Sequence, residues 1–147
     1  MKLEELKIKK LDETAIIPTY GTEYSAGADL YALLDEDLEI KPGETVMIGT
    51  GLAMAIPNGY VGLIYARSSL GSKKGLAPAN KVGVIDSDYR GEIKVPLFNQ
   101  SKETQIIAKN ERIAQIIFTP YLKVNFQETN ELDDTNRGTG GFGSTNA

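Results

Sequence analysis

No cysteine and no histidine occurs anywhere in the 147 residues. Their absence excludes disulfides, a thiol nucleophile, a Cys/His zinc site and an imidazole general base, so proton transfer must rest on carboxylates, lysine, tyrosine or a metal-bound water. Long apolar runs are missing too. Nothing approaches the roughly 18 residues a membrane span needs, and Met1-Lys2-Leu3-Glu4-Glu5 lacks the apolar region of an export signal. A soluble, cytoplasmic protein with no membrane partner is expected. A basic excess is also absent: the net charge of -4 and pI near 4.9 argue against a nucleic-acid partner. A small anionic ligand stays open, because exposed charges beyond about 8 Å are screened and local arginines decide.

What is present suits one globular domain, with 41% hydrophobic and 24% charged residues. Period two dominates the patterning. Leu52, Met54 and Ile56 alternate, Pro57-Asn58-Gly59 makes a turn, and Val61, Leu63 and Tyr65 alternate again, which predicts a β-hairpin. Further strands are predicted at Ile93, Val95 and Leu97 and at Leu122, Val124 and Phe126, with Lys41-Pro42-Gly43 as a turn. The one helix expected is short, starting near Ser68, where serine can cap, and ending by Gly75. Many short strands with Gly-rich turns indicate an all-β sandwich, jelly roll or distorted barrel.

From Glu128 the composition turns to Asn, Thr, Asp, Gly and Ser. On composition alone this is a solvated terminus. Yet Arg137-Gly138-Thr139-Gly140-Gly141-Phe142-Gly143 sets an arginine and an aromatic in glycine, as a mobile arm that orders over a ligand would. The stretch formally spells G-x-G-x-x-G, but it has no strand before it and no helix after it, so the dinucleotide reading fails. No Walker A sequence occurs either.

Two inner segments carry candidate chemistry. Ala66-Arg67-Ser68-Ser69-Leu70-Gly71 joins a strand end to the short helix: it is an ordinary helix cap, or a set of donors for phosphate oxygens at a helix N-terminus. Gly83-Val84-Ile85-Asp86-Ser87-Asp88-Tyr89-Arg90-Gly91-Glu92-Ile93 reads as a hairpin, and with no histidine in the chain a carboxylate at its strand end is the natural base for activating water.

Together with Ser25-Ala26-Gly27-Ala28-Asp29-Leu30, Arg112-Ile113-Ala114-Gln115-Ile116 and the tail from Arg137 through Ser144-Thr145, these segments form five motifs. In that order and at that spacing they resemble the homotrimeric dUTPase family over nearly the whole chain. The resemblance implies a distorted β jelly-roll barrel over residues 1–127 and a flexible arm over 128–147. Three subunits would build three sites at their interfaces, each closed by an arm. The implied reaction is hydrolysis of dUTP to dUMP and pyrophosphate with Mg²⁺, which would limit uracil in DNA and supply dUMP for thymidylate synthesis.

The resemblance also implies roles. Asp86 would hold and deprotonate the attacking water, with Gln115 and Arg137 completing the catalytic set. Arg67, Ser68 and Ser69 would bind the phosphates. Uracil would sit in the hairpin of the third motif against Asn80, Gly83 and Ile85, Tyr89 would lie against the deoxyribose and exclude a 2′-hydroxyl, and Phe142, Gly143 and Ser144 would close with the arm. Asp29 would approach Mg²⁺ through water, the ion being held mainly by substrate phosphates. Arg112 divides between a structural ion pair at the interface and ligand contact, and Asp88 and Arg90 have a hairpin or interface role. Ala28, Ser69 and Asn110-Glu111 depart from the family pattern without touching a reacting group. A dCTP deaminase would need a glutamate where this chain has Pro96. A regulatory nucleotide-binding protein would bind dUTP tightly with little turnover, and a capsid-like jelly roll would leave the motifs unexplained.

Overall fold

The computed structural model describes residues 5–144 of the chain. The N-terminal residues 1–4 and Thr145, the last position of the fifth motif, lie outside them. Among the described residues twelve strands follow one another: β1 (Lys7–Lys10), β2 (Thr19–Tyr20), β3 (Ala28–Tyr31), β4 (Leu38–Ile40), β5 (Thr45–Gly49), β6 (Leu52–Ala55), β7 (Tyr60–Tyr65), β8 (Leu76–Pro78), β9 (Gly83–Ile85), β10 (Lys94–Asn99), β11 (Gln105–Ile107) and β12 (Arg112–Pro120). Every pairing is antiparallel. The strands form four sheets, ordered β1-β6, β5-β10-β8, β11-β4 and β2-β3-β12-β7-β9. Among the described residues no helix is long and apolar enough to cross a membrane.

One apolar core lies between these sheets. Ile93, Val95 and Leu97 are fully buried while Lys94 between them is exposed, the alternation expected of a strand with one face on the core. The inward residues of β3 and β12, Ala28, Leu30, Ala114 and Ile116, meet Ile40, Ile48, Ile64, Leu76 and Ile107 there. A buried amide braces the far side. Asn99 donates to the Ile40 and Glu103 carbonyls at 2.8 Å each and accepts from the Ser101 amide and hydroxyl at 2.9 and 2.7 Å, so its full burial leaves no polar atom unpaired.

Several expectations need correction. The strands on either side of Pro57-Asn58-Gly59 exist, but they do not pair: β6 bonds to β1, and β7 bonds to β12 and β9. Alternation reports which face is buried and carries no information on which edge is bonded. The third motif is likewise no two-stranded hairpin. β9 pairs with β7, and the chain then crosses by a loop to β10 in another sheet. Leu122, Val124 and Phe126 lie beyond the last strand, 86%, 50% and 92% exposed. Period two alone does not make a strand, and among the described residues no strand pairs with this stretch.

The short helix does appear, as a single π-helical turn over Leu70–Lys74 closed at Gly75, whose N–H donates to the Leu70 carbonyl. Ser69 precedes it with helical backbone angles and no side-chain capping bond, so the expected serine cap is not made. Lys74 ties the turn down instead, donating to Glu111 Oε1 at 2.8 Å and to the Ile106 carbonyl at 2.9 Å. Glu111 Oε2 accepts the Ala108 N–H, so the loop ahead of β12 is fixed by the same carboxylate.

Candidate active site

Register in the five-stranded sheet decides what shares a surface. Gln115 on β12 lies opposite Asp29 on β3 and Tyr65 on β7, and Ile117 lies opposite Leu63. Val84 on β9 also faces Leu63, and Ile85 faces Gly62, so Asp86 follows beside Val61. Paired residues point the same way and neighbours alternate. With Ile64 and Ile116 buried inward, the outer face therefore carries Asp29 and Gln115 at one corner and Asp86 at the other. Ile117, Leu63 and Val84 form an apolar stripe between them.

The polar corner is a cavity of about 330 Å³ lined by Gly21, Ser25, Ala26, Gly27, Asp29, Arg67, Ser68, Gln115 and Ile117. The fold thus gathers residues from the first, second and fourth motifs. Arg67 leaves the end of β7 and reaches across Gln115 to Asp29, its Nε donating to Oδ1 at 2.8 Å. Arg112 donates from Nη1 to Asp29 Oδ2 at 3.2 Å. The Asp29 residue is 9% exposed, so both arginines hold a carboxylate that is largely out of water. With Nε committed to Asp29, Arg67 lines the cavity with a guanidinium whose remaining N–H donors are of the kind that suits phosphate oxygens. Two arginines against one carboxylate leave the corner with a positive excess.

Gln115 is held as firmly. Its Nε2 donates to the Ala66 carbonyl at 2.9 Å, and its side chain lies where a Cβ on Gly27 would stand. Gly27 is therefore a site residue that sequence reading quoted in a motif without giving it a task. The signal was its position two residues before Asp29, which only the β3–β12 register turns into contact with Gln115. Arg112 makes an ion pair with Asp29 within the chain.

The residues of the third motif stand elsewhere. Asp86 is exposed and lines a groove of about 600 Å³ with Val61, Leu63, Val84, Tyr121, Leu122, Lys123, Val124 and Phe126. Asn80 lies against Gly83, and the Asn80 carbonyl accepts the Val82 N–H at 2.7 Å. The loop after Ile85 is closed by the Tyr89 N–H on the Asp86 carbonyl at 3.2 Å, and Arg90 braces it through the Ser87 and Tyr89 carbonyls. From Asp86 to Gln115 the path runs four residues along β7 and two strand spacings across it, roughly 16 Å between Cα atoms. Within one chain the two line separate cavities.

The tail residues are not brought to either cavity. Arg137 donates to the Gly140 carbonyl at 2.8 Å, and the Ser144 N–H bonds to Gly141, so the stretch curls on itself through local turns. Phe142 is fully exposed with a left-handed backbone, and Gly143 follows it at φ +87°. Ser68 faces the polar cavity, while Ser69 is exposed beside it.

No group of three or more acidic side chains placed to hold a metal occurs among the described residues. Asp29 is the one carboxylate lining the polar corner, and each of its oxygens already accepts from an arginine. These donors suit a hydrated ion that brings most of its ligands from phosphate and water. They do not form a protein cage.

A family model described as dUTPase matches residues 13–146. The deoxyuridine 5'-triphosphate nucleotidohydrolase of Nautilia profundicola is 53% identical over 141 residues, covering 96% of this chain and 98% of that protein. The protein of the same name from Rickettsia felis is 47% identical over 146 residues, covering 99% of each. Among solved structures, the Staphylococcus bacteriophage 80alpha dUTPase with dUpNHpp superposes with a TM-score of 0.85 at 28% identity, covering 99% of this chain and 100% of that one. A mutant dUTPase from phage phi11 of S. aureus, described as revealing the coordination of a structural Mg(II) ion, gives 0.80 at 25% identity over 89% of this chain and 100% of that one. The jelly-roll architecture follows from these likenesses.

Proposed function

Because this chain belongs to the dUTPase family, enzymes that hydrolyse dUTP to dUMP, we propose that it cleaves dUTP between the α- and β-phosphates through a water activated by Asp86, with Mg²⁺. The observation that carries the reading is the polar corner, where Arg67, Ser68 and Gln115 converge on a space suited to a phosphate chain. Asp86 accepts a proton from water as the new bond to the α-phosphorus forms. The bond from that phosphorus to the bridging oxygen breaks, and pyrophosphate leaves. A carboxylate is a weak base, so the step depends on charge neutralisation at phosphorus. Bound with the phosphates, Mg²⁺ supplies part of that neutralisation as a Lewis acid. Asp29 would approach the ion only through water, and its main task is to hold Arg67 and Arg112.

Uracil sits against Asn80, Gly83 and Ile85, where main-chain groups mimic a pairing partner and a tight slot excludes the methyl of thymine. Tyr89 lies against the deoxyribose. Ser69 joins Ser68 at the phosphates. Arg137 reaches the terminal phosphate when the arm closes, Phe142 stacks on the base, and Gly143 and Ser144 complete the cover.

The roughly 16 Å between Asp86 and Gln115 calls for a second copy to complete each site. Two features supply the means. The stripe between the two corners is apolar and half exposed, with Val84 62% exposed, and Leu122, Val124 and Phe126 offer a matching apolar edge. A homotrimer whose sites lie between subunits, with residues 128–147 as the closing arm, uses both. Deamination of dCTP is disfavoured because Pro96, inside β10 with its carbonyl bonded to the Ala79 N–H, offers no proton shuttle.

The test is to supply Asp86→Asn and the parent protein with Mg²⁺ and each of dUTP, dCTP, dTTP and UTP, following pyrophosphate and ammonia. The parent should release pyrophosphate from dUTP quickly and from the others slowly, and Asp86→Asn should bind dUTP with most turnover lost. Normal turnover in Asp86→Asn would remove Asp86 as the base, and ammonia from dCTP would replace the reaction.

A further inference from the structure

Tyr89 is exposed and sits in a loop, an unpromising place for a residue that must measure a sugar to within one oxygen atom. Its position is nonetheless fixed. The phenol hydroxyl donates to the Glu92 carbonyl at 2.9 Å, which folds the side chain back across Gly91. A Cβ on Gly91 would fall 2.6 Å from Cζ and 3.0 Å from Cε2 of the ring, well inside the roughly 3.5–4.0 Å at which carbons meet.

The next residue anchors the loop to the core. The Ile93 N–H donates to the Leu52 carbonyl at 2.8 Å, and the Ile93 carbonyl accepts from the Thr50 N–H at 3.1 Å and the buried Thr50 hydroxyl at 2.7 Å. Ile93 itself is fully buried. The acceptor for the Tyr89 hydroxyl is thus one residue from a peptide bonded on both sides.

We propose that Gly91 is a specificity-determining residue: by having no side chain it lets the Tyr89 ring cross it and bond to Glu92, which sets the depth at which the ring meets the sugar and so rejects a 2′-hydroxyl. This rests on Tyr89 facing the deoxyribose as proposed above. Gly91 acts through Tyr89 and touches no substrate. A methyl group there would push the ring outward, break its bond to Glu92 and open room for one oxygen.

The experiment compares kcat/KM for UTP with that for dUTP in the parent, Gly91→Ala, Tyr89→Phe and Tyr89→Ala, all checked by thermal unfolding. The ratio separates sugar discrimination from general loss of activity. It should rise by about 100-fold in Tyr89→Ala, about tenfold in Gly91→Ala, and about threefold in Tyr89→Phe, which keeps the ring and loses one hydrogen bond. A rise in Tyr89→Ala with none in Gly91→Ala overturns the role of Gly91 and leaves that of Tyr89. No rise in Tyr89→Ala overturns the reading of Tyr89 itself. If Gly91→Ala does not fold, Tyr89→Phe decides, and an unchanged ratio there overturns the proposal.

Discussion

Arg67 and Asp29 meet at 2.8 Å across the width of β12, so one contact joins the end of β7 to β3 with Gln115 between them. The pair does two things. It neutralises the one carboxylate that lines the polar cavity, and it fixes the guanidinium through Nε. Arg112 on the second oxygen makes Asp29 the common anchor of two cations.

Asp29→Asn keeps the shape and removes the charge. It should lower kcat/KM for dUTP by about 30-fold and stability by about 1–2 kcal/mol, since the bonds lost are charge-assisted but not wholly buried. A Mg²⁺ titration distinguishes the two tasks open to this residue. If Asp29 works through the arginines, the half-saturating Mg²⁺ concentration should move less than about twofold. A tenfold rise would place Asp29 beside the ion and refute its role as anchor.

Gly27→Ala should be damaging for a residue with no functional group. The added methyl occupies the space of the Gln115 side chain, which must swing away and give up the Ala66 carbonyl. Turnover should fall by roughly 10- to 100-fold, because an ångström of misplacement at a reacting centre costs about that much. The melting temperature should change by only a few degrees, about what one part-buried hydrogen bond is worth. Unaltered kinetics, measured by pyrophosphate release, would show that the position of Gln115 is immaterial.

The sequence made some of this legible and hid the rest for physical reasons. The strand at Ile93, Val95 and Leu97 is readable because all three are fully buried and face one core. The pairing of β6 with β1, and of β7 with β12, is not readable, because period two specifies a face and the bonded partner lies 42 to 48 residues away in the chain for the first and 50 to 60 for the second. Arg67, Asp29 and Gln115 could each be named from a motif. That Gln115 lies between the other two, and that Gly27 makes room for it, depends on register alone. Leu122, Val124 and Phe126 misled for the opposite reason: they alternate and yet stay half to largely exposed, lining a groove with Val61, Leu63 and Val84 without pairing into a described strand.

If the two corners of the sheet's outer face belong to different sites, two dead variants can restore each other. Asp86→Asn lacks the base and Gln115→Ala lacks the phosphate-positioning amide, so each alone should be nearly inactive. In a trimer each site would take Asp86 from one subunit and Gln115 from its neighbour, and the ring's symmetry would repeat that arrangement three times. Mixing the variants in equal amounts, unfolding and refolding them together allows subunits to assort at random. About a quarter of the sites should then combine an intact Asp86 with an intact Gln115, so pyrophosphate release should recover to about 25% of the parent's rate. Were both residues drawn from one chain, every site in the mixture would carry one lesion and no activity would return. That null result, with trimers verified by light scattering and a refolded parent sample active, would mean that the roughly 16 Å separation is closed within a single subunit.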